Sequence, residues 1–412
     1  MNYPAGGPSV VRPPDEGGPI PPRPFARSVD TRSRNSLAAG FALLLFFLAS
    51  LHWRLHWLSA SDWSVIAILA LFLLATEGLK ESGYLNRLVS IVAERELPEP
   101  ALFAWLIAAS GVLAAAVTND VSLFVIVPLT LGICHRRGVS PIAIVVLETM
   151  AANVGSMSMP WGNPQNLFLF RHYSLAAGGF YRLTLPLSLT MMALICAAGR
   201  RIARPGNVRR DGADAAPVSH FTGILFSVIL IAASLQLLRL LPAPAEVLMG
   251  VAVAAAALAN WRVLLRTDWS LPALFAVIFV VVNGIRVSAV GPWLDHLFHS
   301  GSWIQTYVLA AGVSQGISNV PTALIASGGI PIPVAGSASG PISSGVAALL
   351  MGVNVGGLGT PLASLANLIA ARLFVTGGGS AREFYRTYWP YNLIGLALFS
   401  VLGLVALYLI VR

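Results

Sequence analysis

"NVGSMSMPWGNPQNL", residues 153–167, is a polar, helix-breaking passage set between two apolar runs. A second passage, "NVGGLGTPLASLANL", residues 354–368, aligns with it without gaps. The two match at Asn153/Asn354, Val154/Val355, Gly155/Gly356, Pro160/Pro361, Asn166/Asn367 and Leu167/Leu368. A feature that breaks helices inside apolar sequence, and does so twice, is the clue to the architecture.

Outward from these passages the chain is 56% hydrophobic and 10% charged, with mean hydropathy +0.75. A soluble domain is usually ~25% charged. Runs such as 36–50, 221–240 and 391–411 approach or reach the ~20 residues that cross a bilayer. They are continuous rather than alternating, so helices are expected and strands are not. The fold class predicted is an all-α polytopic membrane protein. Spanning helices are expected near 37–58, 62–80, 141–173 (broken), 182–199, 221–241, 244–262, 270–290, 341–373 (broken) and 388–411. Segments 101–134 and 303–331 each carry a polar centre, "TND" (118–120) and "SNVP" (318–321). In the first, the limb after "TND" has only fourteen residues, ~21 Å of helix against a ~30 Å core. Both read as re-entrant hairpins; two short complete spans are the alternative.

Residues 1–35, rich in Pro, Gly and Arg, read as a disordered cytoplasmic tail with no apolar core of a signal sequence. The domains expected are that tail, a first transmembrane repeat 36–199, a cytoplasmic linker 200–220, a connecting helix 221–241 and a second repeat 242–412. Hairpins do not change sides, so four spans plus the connecting helix invert the second repeat relative to the first. "EGLKES" (77–82) against "NGIRVS" (283–288) supports the pairing. Inverted repeats with discontinuous helices are the architecture of secondary transporters.

With the N-terminus cytoplasmic, most of the 26 Lys and Arg fall inside, leaving Arg54, Arg171, Arg182, Arg239, Arg286 and Arg412 outside. That satisfies the positive-inside rule for a bacterial inner-membrane protein. It also accounts for the net charge of +9 without a nucleic-acid partner. Cys134 and Cys196, the only cysteines, fall near cytoplasmic helix ends and are not expected to pair.

Unpaired backbone groups in hydrocarbon cost several kcal/mol each, so a broken helix is tolerable only where protein, water or ligand completes it. The starts of half-helices present N–H groups that suit an anion; their ends present carbonyls that suit a cation. At the polar points Asn119, Asn163, Asn166, Asn319 and Asn367 can serve as caps or as ligands through the amide oxygen, and Thr118, Ser318, Thr360 and Ser364 add hydroxyls. The substrate- and ion-binding set expected is Thr118, Asn119, Asp120, Asn163, Gln165, Asn166, Ser318, Asn319, Thr360, Ser364 and Asn367. The alternative role for Gly, Ser and Asn here is helix–helix packing. Asp120, at the first tip, is the sharpest charge; its counterpart is Val320. It is expected to bind the coupling cation or carry a proton, or to cap the second limb, or both. Glu148 faces either the site or a buried partner, and is a second coupling candidate. Glu77, Lys80 and Arg286 are expected at the interface. The seven His show no metal spacing.

"TNDVSLFVIVPLT" (118–130), "ANVGSMSMPWGNPQNLFLF" (152–170), "SNVPTAL" (318–324) and "GVNVGGLGTPLASLANLI" (352–369) resemble the ion-transporter superfamily. That group holds divalent-anion/sodium symporters, citrate transporters, arsenite permeases and one type of Na⁺/H⁺ antiporter. The resemblance covers about 60–400 and implies scaffold and transport domains, a homodimer and elevator-like movement. The dicarboxylate branch has Ser-Asn-Thr at both tips; here they read Thr118-Asn119-Asp120 and Ser318-Asn319-Val320. A carboxylate at the first tip is nearer the arsenite-permease pattern.

The function expected is secondary transport of a small inorganic or organic anion, coupled to Na⁺ or H⁺, with no other cofactor. A Na⁺/H⁺ antiporter using Asp120 and Glu148 is the alternative. An enzyme is not expected: no HExxH occurs and no Ser–His pair is suggested at depth. Lys80, the only lysine, lacks the preceding Gly of a phosphate loop, so the chain itself carries no such ATP site.

Overall fold

A chain this apolar satisfies its backbone inside helices, and most of the described residues are helical. The computed structural model describes residues 60–84, 87, 97–202, 218–299, 302–332 and 342–411, all within one unit, Arg54–Arg412. The expected tail 1–35, the span near 37–58 and residues 203–217 of the expected linker lie outside them. Among the described residues there is no strand. Six helices are long and apolar enough to cross a membrane. The protein is a multi-pass, all-helical membrane protein.

The first group of helices is α1 (Ala60–Glu81), α2 (Glu99–Ala116), α3 (Asn119–Arg137), α4 (Ile142–Met157), α5 (Pro164–His172) and α6 (Ala177–Ile202). Next come α7 (His220–Leu237), α8 (Ala245–Arg266), α9 (Ser270–Val287) and the short α10 (Gly291–His299). The last are α11 (Trp303–Ile317), α12 (Asn319–Gly329), α13 (Ser344–Gly356), a 3-10 turn Pro361–Ala363, α14 (Leu365–Thr376) and α15 (Ala381–Val411). The helical path is interrupted at 117–118, 158–163, Ser318 and 357–364. These are the four polar points of the sequence. Several helices run longer than expected: α6 spans Ala177–Ile202 against 182–199, α15 starts at Ala381 against 388, and α3 has 19 residues. Helix α3 continues through Pro128 and the basic end, and stops only at Gly138, whose φ of +66° closes the last turn.

Packing recurs in two matching sets. α2 packs against α3 and α4, and α4 packs against α6. The same positions in the second half appear as α11 against α12 and α13, and α13 against α15. The halves also cross: α3 meets α14, and α12 meets α5. Close approach depends on small residues at matched places. A Cβ on Gly155 would lie 2.1 Å from the Gly111 carbonyl oxygen, and one on Gly356 would lie 2.9 Å from the Ala311 Cα. Both neighbours are backbone atoms that cannot swing aside. Gly155→Ala is therefore expected to cost about 1–3 kcal/mol by overpacking, read as a lower Tm of the detergent-purified protein; an unchanged Tm would contradict this packing.

A second set of contacts surrounds α1, which packs against α7, α8 and α9. α1 is buried on nearly all sides, with Ile68, Phe72 and Leu74 inaccessible. A helix apolar all round belongs in the middle of a bundle. α8 instead presents Val247, Val251, Leu258 and Trp261 outward, an apolar face suited to hydrocarbon. At the end of α1, Glu77 pairs with Lys80 at 3.4 Å, and Glu81 pairs with Arg266 of α8.

Candidate functional site

Each interruption leaves helix-end carbonyls and N–H groups that need partners. Side chains of the same motifs provide them. After α4, the Asn166 amide nitrogen sits 3.1–3.3 Å from the carbonyl oxygens of Ser156, Met157 and Met159. Asn163 caps α5, its side-chain oxygen accepting from Asn166 N–H at 2.9 Å. After α13, Asn367 donates to the carbonyls of Gly357 (3.0 Å) and Thr360 (3.2 Å). Gly357 and Thr360 match Ser156 and Met159 in the alignment, so the two interruptions are closed by equivalent bonds.

The two interruptions are then tied to each other. Asn153 donates to the Asn367 side-chain oxygen at 2.9 Å and accepts from Ser364 Oγ at 3.1 Å. Asn354, its aligned partner, donates to the Asn166 side-chain oxygen at 2.6 Å and accepts from Asn163 at 3.0 Å. Asn119 also reaches Asn153, at 3.4 Å, and its backbone N–H donates to the Gly162 carbonyl at 3.0 Å.

Beside this knot lies a cavity of about 410 Å³. The first residues of four helices line it: Asn119 of α3, Pro164 of α5, Asn319 of α12 and Leu365 of α14. Asp120, Gln165, Ser318 and Ser364 add polar lining, and Leu274, Phe275 and Ile278 of α9 form an apolar wall. No Lys, Arg or His is among the lining residues. Asp120 is 7% and Asn119 3% exposed, and one side-chain oxygen of each, Oδ1, has no hydrogen-bond partner. Two acceptors without donors, one of them a carboxylate, suit a cation or proton.

The two tips differ in backbone. Thr118 is extended and its hydroxyl accepts from Val121 N–H. Ser318 has φ +73°, a conformation glycine tolerates better than serine. Its hydroxyl lies 3.3 Å from the Asn319 side-chain oxygen.

Of the expected site residues, the structure thus brings Asn119, Asp120, Gln165, Ser318, Asn319 and Ser364 to the cavity. Thr118 caps α3 behind it. Asn163, Asn166 and Asn367 close the interruptions, and Thr360 bonds Gln315. Glu148 lies elsewhere, fully buried, accepting from Thr130 Oγ1 on α3, with Ser110 Oγ donating to its backbone carbonyl at 2.9 Å. Since Glu148 does not line the cavity, Glu148→Gln is expected to leave gradient-driven uptake within about threefold, an effect below 1 kcal/mol. A loss as large as that of an Asp120 variant would contradict the placement.

Three residues of the site are absent from the expected binding set. Asn153 and Asn354 each lie one turn before a break, and their matched positions in the two aligned passages were the available signal. Gln315 donates to Gly356 O at 2.7 Å and accepts from Thr360 N–H at 2.9 Å. No comparable signal marks it.

Comparison with known proteins bears on what such a site serves. The citrate transporter family profile matches residues 30–335, most of the chain. The chain belongs to the citrate transporter family. The inner membrane protein YbiR of Escherichia coli is 29% identical over 367 residues, covering 86% of this chain and 89% of that protein. The uncharacterized transporter MJ0456 of Methanocaldococcus jannaschii is 26% identical, covering 76% of this chain and 81% of its own. The uncharacterized transporter Rv2684 of Mycobacterium tuberculosis is 23% identical, covering 85% and 86%. As a citrate transporter family member, the chain is a permease-type membrane transporter.

Proposed function

We propose that the protein is a secondary active transporter that moves a small anion or oxyanion, coupled to Na⁺ or H⁺. One observation carries the reading: four helix starts converge on one cavity beside a buried carboxylate oxygen with no donor. Each helix start contributes roughly half a positive charge, which suits the anion where no basic side chain is present. Asp120 and Asn119 take the coupling cation, so the solute and its driving ion meet in one cavity with their charges opposed.

The matched packing sets and matched hydrogen bonds support two inverted repeats, with α2–α3 and α11–α12 as re-entrant hairpins whose tips reach the midplane. In this reading α1, α7, α8 and α9 form the stationary scaffold. The knotted halves travel past it as an elevator, carrying the cavity from one side to the other. The N-terminus is cytoplasmic, the membrane is the inner membrane, and the protein works as a homodimer.

The test is uptake into proteoliposomes, with imposed Na⁺ or H⁺ gradients, against a panel of oxyanions and carboxylates. Accumulation of a panel anion driven by one of the gradients is expected. Gradient dissipation with no anion movement would overturn the reading.

A further inference from the structure

Two asparagines in helical runs hold no place in the binding set, yet each bonds side chains in the opposite half of the chain; within their own halves, Asn153 also accepts from Asn119 and Asn354 also donates to the Leu350 carbonyl at 2.7 Å. Asn153 bonds Asn367 and Ser364, 214 and 211 residues away. Asn354 bonds Asn166 and Asn163, 188 and 191 residues away. Asn153 is 5% and Asn354 5% exposed. We propose that Asn153 and Asn354 are positioning residues: each fixes the helix restart of the other half, so that the four helix starts at the cavity keep one geometry while the site moves.

The chemistry suits the task. An amide presents a donor and an acceptor at once. Asn354 uses both on a restart, giving its N–H to Asn166 and its oxygen to Asn163. Asn153 does the same for Asn367 and Ser364. Neither restart could be held this way by its own helix, because Asn166 and Asn367 already spend their N–H groups on the carbonyls of their own interruptions. The acceptor oxygens left over must be satisfied from the other half. Buried acceptors without donors are costly, so each restart is in register only when its opposite asparagine is present.

The two clasps differ in what they touch. Asn153 contacts Asn119 and Ser364, which line the cavity. The partners of Asn354, namely Asn163 and Asn166, sit behind it. Asn153 therefore joins a cavity residue of the first half to one of the second through a single oxygen atom. Asn354 anchors the frame on which Pro164 and Gln165 reach the cavity.

The inference rests on the cavity being the transport site, but its test needs no solute, so its failure and that of the transport reading are separable. Hydrogen–deuterium exchange is measured on the full chain in lipid nanodiscs, for Asn153→Ala, Asn354→Ala and the milder Asn153→Ser and Asn354→Ser. Asn354→Ala is expected to speed exchange at least about tenfold across 165–169, in the other half, and to leave 366–371 within about twofold. Asn153→Ala is expected to do the reverse, and also to speed 120–122. A tenfold change corresponds to about 1.4 kcal/mol of lost local protection. If the alanine variants do not yield folded protein, the serine variants carry the same crosswise expectation at smaller amplitude. Faster exchange confined to the substituted half, or equal in both halves, would overturn the proposal, and so would no change in either.

Discussion

Asp120→Asn is expected to lower the gradient-driven accumulation ratio about fortyfold at 100 mV, while leaving the protein folded. The size follows from the driving force: one coupled cation contributes ~2.3 kcal/mol per 100 mV, and 1.4 kcal/mol is tenfold. The substitution keeps the side chain's shape, so the cavity and the start of α3 are retained. It removes the charge that would oppose a bound cation. Asp120 Oδ1 has no donor among the described residues, so no internal partner is orphaned by the change. Folding should shift by no more than about 1 kcal/mol, the worth of an acidic residue at a helix start. Facilitated exchange of the solute down its own gradient should survive. An accumulation ratio equal to that of the unsubstituted protein, with unchanged Na⁺ and H⁺ dependence, would remove Asp120 from the coupling role.

Asn166→Leu should have the opposite profile, a large loss of stability. The residue is fully buried. Its amide nitrogen serves three carbonyls at the end of α4, and its oxygen accepts from Asn354. Leucine matches the volume but supplies neither group. The carbonyls and the Asn354 amide are left in a site closed to water, where each unsatisfied group costs about 1–3 kcal/mol. A total of about 3–5 kcal/mol is expected, allowing for partial relaxation. It would be read as a sharp fall in Tm and in yield of monodisperse protein. A Tm within a few degrees of the parent would show that the interruption does not depend on this amide.

The contrast between these two residues shows what the sequence makes legible. Polar residues in apolar runs mark the four interruptions, because Gly, Pro and Asn cannot be placed there without a reason. The helices begin and end close to where those residues fall. Asp120 stands out because a carboxylate at depth is costly. The sequence does not say which way each amide points. Asn166 and Asn367 have the composition of ligands but turn inward to serve backbone carbonyls, while Asn163 caps α5 and donates to Ser156 and Asn354, directions set by the geometry of each turn. Asn153 and Asn354 are harder still, since their partners lie about two hundred residues away and only the fold brings them together. The length of α3 escapes for a local reason: the expected limb ends at Cys134, before the basic His135, Arg136 and Arg137, yet the helix runs on to Gly138. Glu148 was open between cavity and buried partner, and the hydroxyl of Thr130 is what it meets.

The central claim is that interruptions from both halves line one solute site. It is tested most directly by solute protection of single cysteines. Gln165→Cys and Ser318→Cys, one in each half, are placed separately in a chain whose Cys134 and Cys196 are replaced by serine. Maleimide labelling is followed as the transported solute is titrated. The account predicts that both cysteines are shielded, with the same half-maximal concentration, matching that for uptake. Shielding of one position alone, or of the two at unrelated concentrations, would contradict it.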